Sequence, residues 1–246
     1  MFIRMVKLNL KKMFSSKNFI YVFLFSMLLS LTAFLGEAFP LLNAPIHTVL
    51  PATYMWSPIS KASSLPIYDI FMMFFLPFFA SFSYADSVFS EKKAGTSKTI
   101  IPKCGRFNYY ISSALVAALG GGFVIFMPLL TNQLLWLVAA PYSSLQTFSS
   151  NPLIEFEPLY KMKFVDLFLN SPLLYNLVYM LIPTAIGMIS ALLSYAMSFF
   201  VKHSFVFLTI PGIVYIIESF LVSVFGVPGA AISYILLPIP PVKHIN

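Results

Sequence analysis

The chain has 246 residues, of which 59% are apolar and 9% charged, and it carries a net charge of +7. Charged residues make up about a quarter of a soluble domain, so too few polar side chains exist here to cover a water-facing surface. With a mean hydropathy of +0.87, this composition excludes an ordinary soluble enzyme or nucleic-acid-binding domain. It predicts an all-α, polytopic integral membrane protein with one transmembrane domain over 1–246.

The first segment, 1–17, reads MFIRMVKLNLKKMFSSK. Arg4, Lys7 and Lys11 recur at i, i+3 and i+7, and Phe2, Met5, Val6, Leu10 and Met13 fill the rest of the wheel. That pattern predicts a helix lying in the membrane interface with its cations toward headgroups. About 20 apolar residues span a bilayer core, and the first such run is 19–35. Its length and the long basic stretch before it argue against a cleaved signal peptide, whose apolar core is shorter. Gly36 to Pro66 follows with five prolines, Tyr54 and Trp56, and is predicted to be an irregular connector seated at the interface.

The second run, 67–85, ends at a charged stretch of 22 residues, DSVFSEKKAGTSKTIIPKCGRF over 86–107, holding Lys92, Lys93, Lys98, Lys103 and Arg106. A third span is predicted over 109–130. The LLWLVAA that follows is too short to cross a bilayer again, and its Trp136 suits an interfacial piece. A polar connector with Glu155, Glu157, Lys161, Lys163 and Asp166 leads to a fourth span at 172–200 and a fifth at 204–225. The last apolar run, 227–241, is short and bounded by prolines, and reads as a short sixth span in preference to a re-entrant piece at the outer surface. The expected architecture is therefore five clear transmembrane helices plus a short sixth, preceded by an interfacial helix.

Lys and Arg set the orientation. With the N-terminus inside, twelve of the fifteen lie on the cytoplasmic side, and only Lys61, Lys161 and Lys163 lie outside. The positive-inside rule then places the N-terminus and the 86–107 loop in the cytoplasm of a multi-pass protein of the cell membrane. A thiol reagent acting at Cys104 would report the side of that loop. The basic residues sit beside membrane spans, so anionic lipid explains them better than nucleic acid.

Chemistry-bearing motifs are sparse. GTSKT at Gly95 lacks the glycine spacing of a phosphate loop, and no HExxH, CxxC or GxSxG occurs. His47, His203 and His244 are scattered, so no catalytic, cofactor or metal set is predicted. Glu218 is the one acid well inside an apolar run. A carboxylate there costs about 2.5–3.5 kcal/mol on insertion scales, which makes it a candidate lining of a translocation path. Ser113, Ala117 and Gly121, and Gly187, Ala191, Ser194 and Ser198, form small-residue stripes of the kind that let helices approach.

The charged loop resembles the cytoplasmic loop of the membrane subunits of type-2 ABC exporters. Asp86, Glu91, Gly95, Thr96, Pro102 and Arg106 stand where that family carries its acid, Glu, Gly-Thr, Pro and Arg. The lysine usual one or two turns after the arginine is absent, with Asn108, Ser112 and Ser113 in that region. The resemblance implies an interfacial N-terminal helix, six spans, and a coupling helix in this loop that docks on a separate cytoplasmic ATPase. It also implies a dimer with a second permease copy or paralogue. Cargo would move outward: an antimicrobial or hydrophobic peptide, a lipid or a drug. From the residues, 86–93 is expected to form a short helix anchored by Val88 and Phe89, with Thr96 capping the next piece and Pro102 stopping it. The alternative reading is a non-transporting membrane scaffold or immunity protein that acts by binding a partner.

Overall fold

A computed structural model describes residues 2–42, 52, 53, 56, 66–140 and 164–225. Among these residues the structure is entirely helical and has no strand. The elements are α1 (Phe2–Phe14), α2 (Lys17–Leu41), α3 (Pro66–Tyr84), α4 (Ser87–Lys93), α5 (Ser97–Cys104), α6 (Arg106–Ala139), α7 (Val165–Asn170), α8 (Pro172–Met197) and α9 (Ser204–Val224). Four of them, α2, α6, α8 and α9, are long and apolar enough to cross a membrane, and α3 contributes a shorter apolar stretch over Phe75–Tyr84. The multi-pass membrane character read from composition is thus compatible with the fold. The run at 227–241, together with Lys61, Lys161 and Lys163, lies outside the described residues.

Helix starts have local causes. Ser16 accepts a hydrogen bond from the Phe19 backbone N–H at 3.2 Å and so caps α2, separating it from α1. Pro172 opens α8 at a position where the missing N–H costs nothing. Along α1, Met5, Asn9 and Met13 are buried at i, i+4 and i+8, while Arg4, Lys7 and Lys11 are exposed. The apolar stripe of this pattern therefore packs against protein.

The register of the helices explains the length of α6. At 34 residues it is about 51 Å long, well beyond a hydrocarbon core of about 30 Å. Asn9 on α1 donates to Ser112 and Ser113, and a Cβ on Gly120 would stand 2.7 Å from Met13 Sδ. Phe14, Phe19 and Phe23 then gather around Phe123. So α1 lies along the first part of α6, and α2 continues beside the second. The end of α3 reaches the same level, because the Gly120 Cβ would also meet Ser83 Oγ at 3.3 Å. Asn18, at the start of α2, donates to Asp86, just after α3, at 3.4 Å. Between Arg106 and Gly120, about 21 Å of α6 thus extends past the ends of α2 and α3 beside α1 and α4.

One sequence expectation is corrected here. The third helix runs through Ala139 rather than ending near Leu130. LLWLVAA is its last two turns, with Trp136 packed edge-on to Phe34 at 4.9 Å. Thr131, Asn132 and Gln133 read as a break, but protein partners satisfy all three side chains and the helix continues. The loop over 86–107 forms the short helix expected at 86–93 and a second helix after it. The small-residue stripe on α6 also divides: Ser113 faces α1, whereas a Cβ on Gly121 would lie 2.7 Å from Ala191 Cβ and 2.9 Å from the Gly187 carbonyl. Close approach of α6 and α8 at Gly121 requires a residue without a side chain.

Candidate functional site

The charged loop folds into a helical hairpin. Gly95, at φ 76°, turns the chain from α4 to α5, and Gly105, at φ 82°, turns it from α5 into α6. Both φ values lie in the region that glycine adopts without strain. Thr96 does not cap α5: its hydroxyl donates backward to the Glu91 carbonyl at 3.2 Å and closes the end of α4. Pro102 does not stop the segment either, since it sits inside α5 and Gly105 ends that helix.

Glu91 is the centre of the site. One carboxylate oxygen pairs with Lys12 Nζ of α1 at 2.5 Å, and the other accepts from the Tyr109 hydroxyl of α6 at 2.5 Å. Lys12 is 39% exposed and Glu91 15%, while Tyr109 is fully buried. The ion pair itself is therefore worth little, about 0–1 kcal/mol for a partly wet pair. The tyrosine hydroxyl matters more, because a buried donor left without its acceptor costs about 1–3 kcal/mol. The effect is to fasten α4 to α1 and α6 at once.

Other side chains of α4 reach the remaining helices. Val88 is buried at 1%, and Phe89 packs edge-on to Phe207 of α9 with ring centroids 5.4 Å apart. Lys92 Nζ lies 4.3 Å from the Phe199 ring centroid, in the turn between α8 and α9, and 5.6 Å from that of Tyr110. Each such cation–π contact is worth about 0.5–1 kcal/mol at an exposed site. Asp86 stands at the junction of α3 and α4. Burial pushes its carboxyl above the ordinary aspartate value, against the hydrogen bonds of its own backbone and Ser90, which lower it.

Asp86, Glu91, Gly95 and Thr96 are thus brought together around α4. Pro102 and Arg106 are on the exposed side, with Lys98, Lys103 and Phe107. Glu218 is not part of this constellation. It lies on α9, half-buried and one turn after the buried Tyr215, and 11 residues (about 16 Å) beyond Phe207. Cys104 is 6% exposed with its thiol donating to the Ile100 carbonyl, so it is not a usable reporter of loop sidedness. Lys12, Tyr109 and Lys92 were missed as partners. The signal for Lys12 was its place off the i, i+3, i+7 basic stripe, toward the buried face of α1.

A second polar cluster lies toward the other end of α6, and nothing in the sequence reading pointed to it. Asn132, Gln133 and Asn176 are at most 4% exposed. Asn176 Nδ2 donates to Gln133 Oε1 at 2.6 Å and to the Thr53 carbonyl at 3.0 Å. Gln133 Nε2 donates to the Ala52 carbonyl, and Asn132 Nδ2 to the Ser30 carbonyl, each at 3.4 Å. Ser30 Oγ in turn donates to the Pro128 carbonyl at 2.7 Å. Residues from α2, α6, α8 and the chain between α2 and α3 meet in this neutral network. Comparison with known proteins finds no match among protein families, curated proteins or solved structures.

Proposed function

We propose that this chain is the permease subunit of an ATP-driven exporter of the type-2 ABC kind, embedded in the cell membrane with its N-terminus and the α4–α5 hairpin in the cytoplasm. In this reading α3 and the run at 227–241 complete a set of five spans plus a short sixth. A separate ATPase docks on the exposed face of the hairpin, and a second permease copy or a paralogue forms the other half of the path. The cargo is apolar or amphipathic, with a hydrophobic peptide ahead of lipids and drugs. Glu218 is kept as a candidate path residue on the strength of its acid in an apolar helix.

The observation that supports this reading best is the attachment of α4. A solvated loop that only sets topology needs no fixed contacts, whereas this helix is tied to α1 and α6 through Glu91 and to α8–α9 through Phe89 and Lys92. A push on the hairpin would therefore reach four helices without passing through a flexible link. The chain carries no phosphate-binding loop of its own, so hydrolysis has to come from a partner.

The test is copurification followed by uncoupling. A tagged chain should bring down a Walker-motif ATPase, and Glu91→Ala should lower export while leaving that complex and membrane insertion intact. Failure to recover an ATPase from the native host would favour the partner-binding scaffold instead. Sidedness is checked with Lys98→Cys in a Cys104→Ser background, which should react with a membrane-impermeant thiol reagent only from the inside.

A further inference from the structure

Ala52, Thr53 and Trp56 belong to the chain between α2 and α3, and a connector at a membrane surface would leave them in water. They are instead 0%, 4% and 1% exposed. The Trp56 indole packs among Leu76, Ile125, Leu129, Tyr175, Tyr179 and Met180, which come from α3, α6 and α8. Non-helical backbone is tolerated among membrane helices only where protein groups satisfy its carbonyls. Here the side-chain amides of Gln133 and Asn176 do so for residues 52 and 53. The arrangement is the chemistry of peptide recognition: two amide donors read consecutive main-chain carbonyls, and an aromatic-lined pocket takes a side chain three residues on. The side chains gathered around the indole are apolar or aromatic.

From this geometry we infer that the cleft between α3, α6 and α8 is a binding site for an uncharged peptide segment with an aromatic anchor, and that Trp56 fills it in cis as a plug. A cis occupant on a short tether has an effective concentration in the millimolar range, so a free peptide competes poorly until the plug leaves. Without Ala52, Thr53 and Trp56 the cleft would expose two buried amides short of an acceptor and an apolar pocket, both of which an incoming peptide satisfies. That the site serves a transported substrate rests on the exporter reading. That it binds peptide does not.

The experiment uses the purified full chain in nanodiscs, with no ATPase present, and a dansylated, C-terminally amidated heptapeptide copying residues 51–57 (Pro-Ala-Thr-Tyr-Met-Trp-Ser). Fluorescence anisotropy should show saturable binding to Trp56→Ala that is at least about tenfold tighter than to the native chain. Adding Asn176→Leu should weaken binding about tenfold, the factor expected for one to two net hydrogen bonds. Replacing the peptide's tryptophan with alanine should do at least as much. Equal binding to native chain and Trp56→Ala, or indifference to Asn176→Leu, overturns the proposal in favour of unspecific partition. Should Trp56→Ala not remain monodisperse, a chain with Trp136→Phe retains Trp56 as its single tryptophan. There Asn176→Leu should increase acrylamide quenching about twofold as the plug loosens, and unchanged quenching overturns the proposal equally. A copurifying ATPase with no peptide binding would sink this inference alone. Peptide binding with no ATPase would sink only the exporter.

Discussion

The two polar clusters sit at different levels of the same long helix and are built from opposite materials. The one at the hairpin uses full charges at a wet edge, where Lys12 is 39% exposed. The one around Asn176 uses neutral amides in a setting without water, where Asn176 and Asn132 have no exposed surface at all. Partly exposed ion pairs contribute about 0–1 kcal/mol and are screened by salt. A buried amide stripped of its partner costs about 1–3 kcal/mol. The charged cluster can therefore be remade at small cost as α4 moves, whereas the amide cluster holds its helices and residues 52–53 in one arrangement until something replaces its bonds. A transmitter and a closure call for these two behaviours respectively.

The comparison breaks down if the helices between the clusters do not approach as described, and Gly121 tests that with the largest effect. A leucine there would place its Cβ against Ala191 and the Gly187 carbonyl, backbone that has nowhere to go. Gly121→Leu should destabilise the chain by about 3 kcal/mol, the upper end of overpacking costs, read as a lost thermal transition or aggregation on size exclusion in detergent. Gly122→Ala is the contrast, because its new Cβ would meet side chains only, Met188 Cγ at 2.8 Å and Thr184 Cγ2 at 3.3 Å, and should cost less than Gly121→Leu. Equal stability of Gly121→Leu and the native chain would mean that α6 and α8 stand further apart.

The amide cluster comes next. Asn176→Leu leaves the Thr53 carbonyl and Gln133 Oε1 without their donor and should cost about 2 kcal/mol. The double variant with Gln133→Leu should cost less than the sum of the two single changes, with an interaction energy of about 1 kcal/mol. Strict additivity would show that the two side chains do not share a bond. At the hairpin the same logic predicts smaller numbers. Glu91→Gln keeps an acceptor for Tyr109 and should lose under about 1 kcal/mol, while Glu91→Leu orphans the Tyr109 hydroxyl and should lose about 1–2 kcal/mol. Raised salt should shrink the ion-pair share of both losses and leave the hydrogen-bond share of the second.

The two clusters were not equally legible. Charges announce themselves in an apolar sequence, so the 86–107 loop and its basic character could be read directly, whereas Glu91, Gly95 and Thr96 were singled out through the resemblance of that loop. What could not be read was pairing: Lys12 and Glu91 are 79 residues apart, and only the fold brings them together. Asn132, Gln133 and Asn176 went unnoticed because a neutral amide in an apolar run gives no periodic signal, and Thr131–Gln133 even passed for the end of a helix. Trp56 and Trp136 were both assigned to the interface on the general habit of tryptophan, yet both are buried against protein. The apolar runs at 19–35, 109–130, 172–200 and 204–225 fall on the four helices long and apolar enough to cross a membrane, because about 20 apolar residues are what a bilayer core asks of a helix. The ends of α6 were missed, because it extends past its neighbours.

Asp86 gives the smallest effect and sharpens the hairpin side of the comparison, since burial disfavours its charged form. Its folded-state value is raised, so the folded chain holds that proton more tightly than the unfolded chain does. Below the unfolded aspartate value, near pH 4, the group is neutral in both states and its burial carries no electrostatic cost. As pH rises through that value and past the raised one, the native state loses stability relative to the unfolded chain. Asp86→Asn keeps an acceptor for the Asn18 amide and removes the ionisation. It should be slightly more stable than the native chain at neutral pH, with the gap closing as pH falls toward 4. A gap that instead widens on acidification would mean that Asp86 is stabilised as an anion, and that the start of α4 carries a second charged fastening like the one at Glu91.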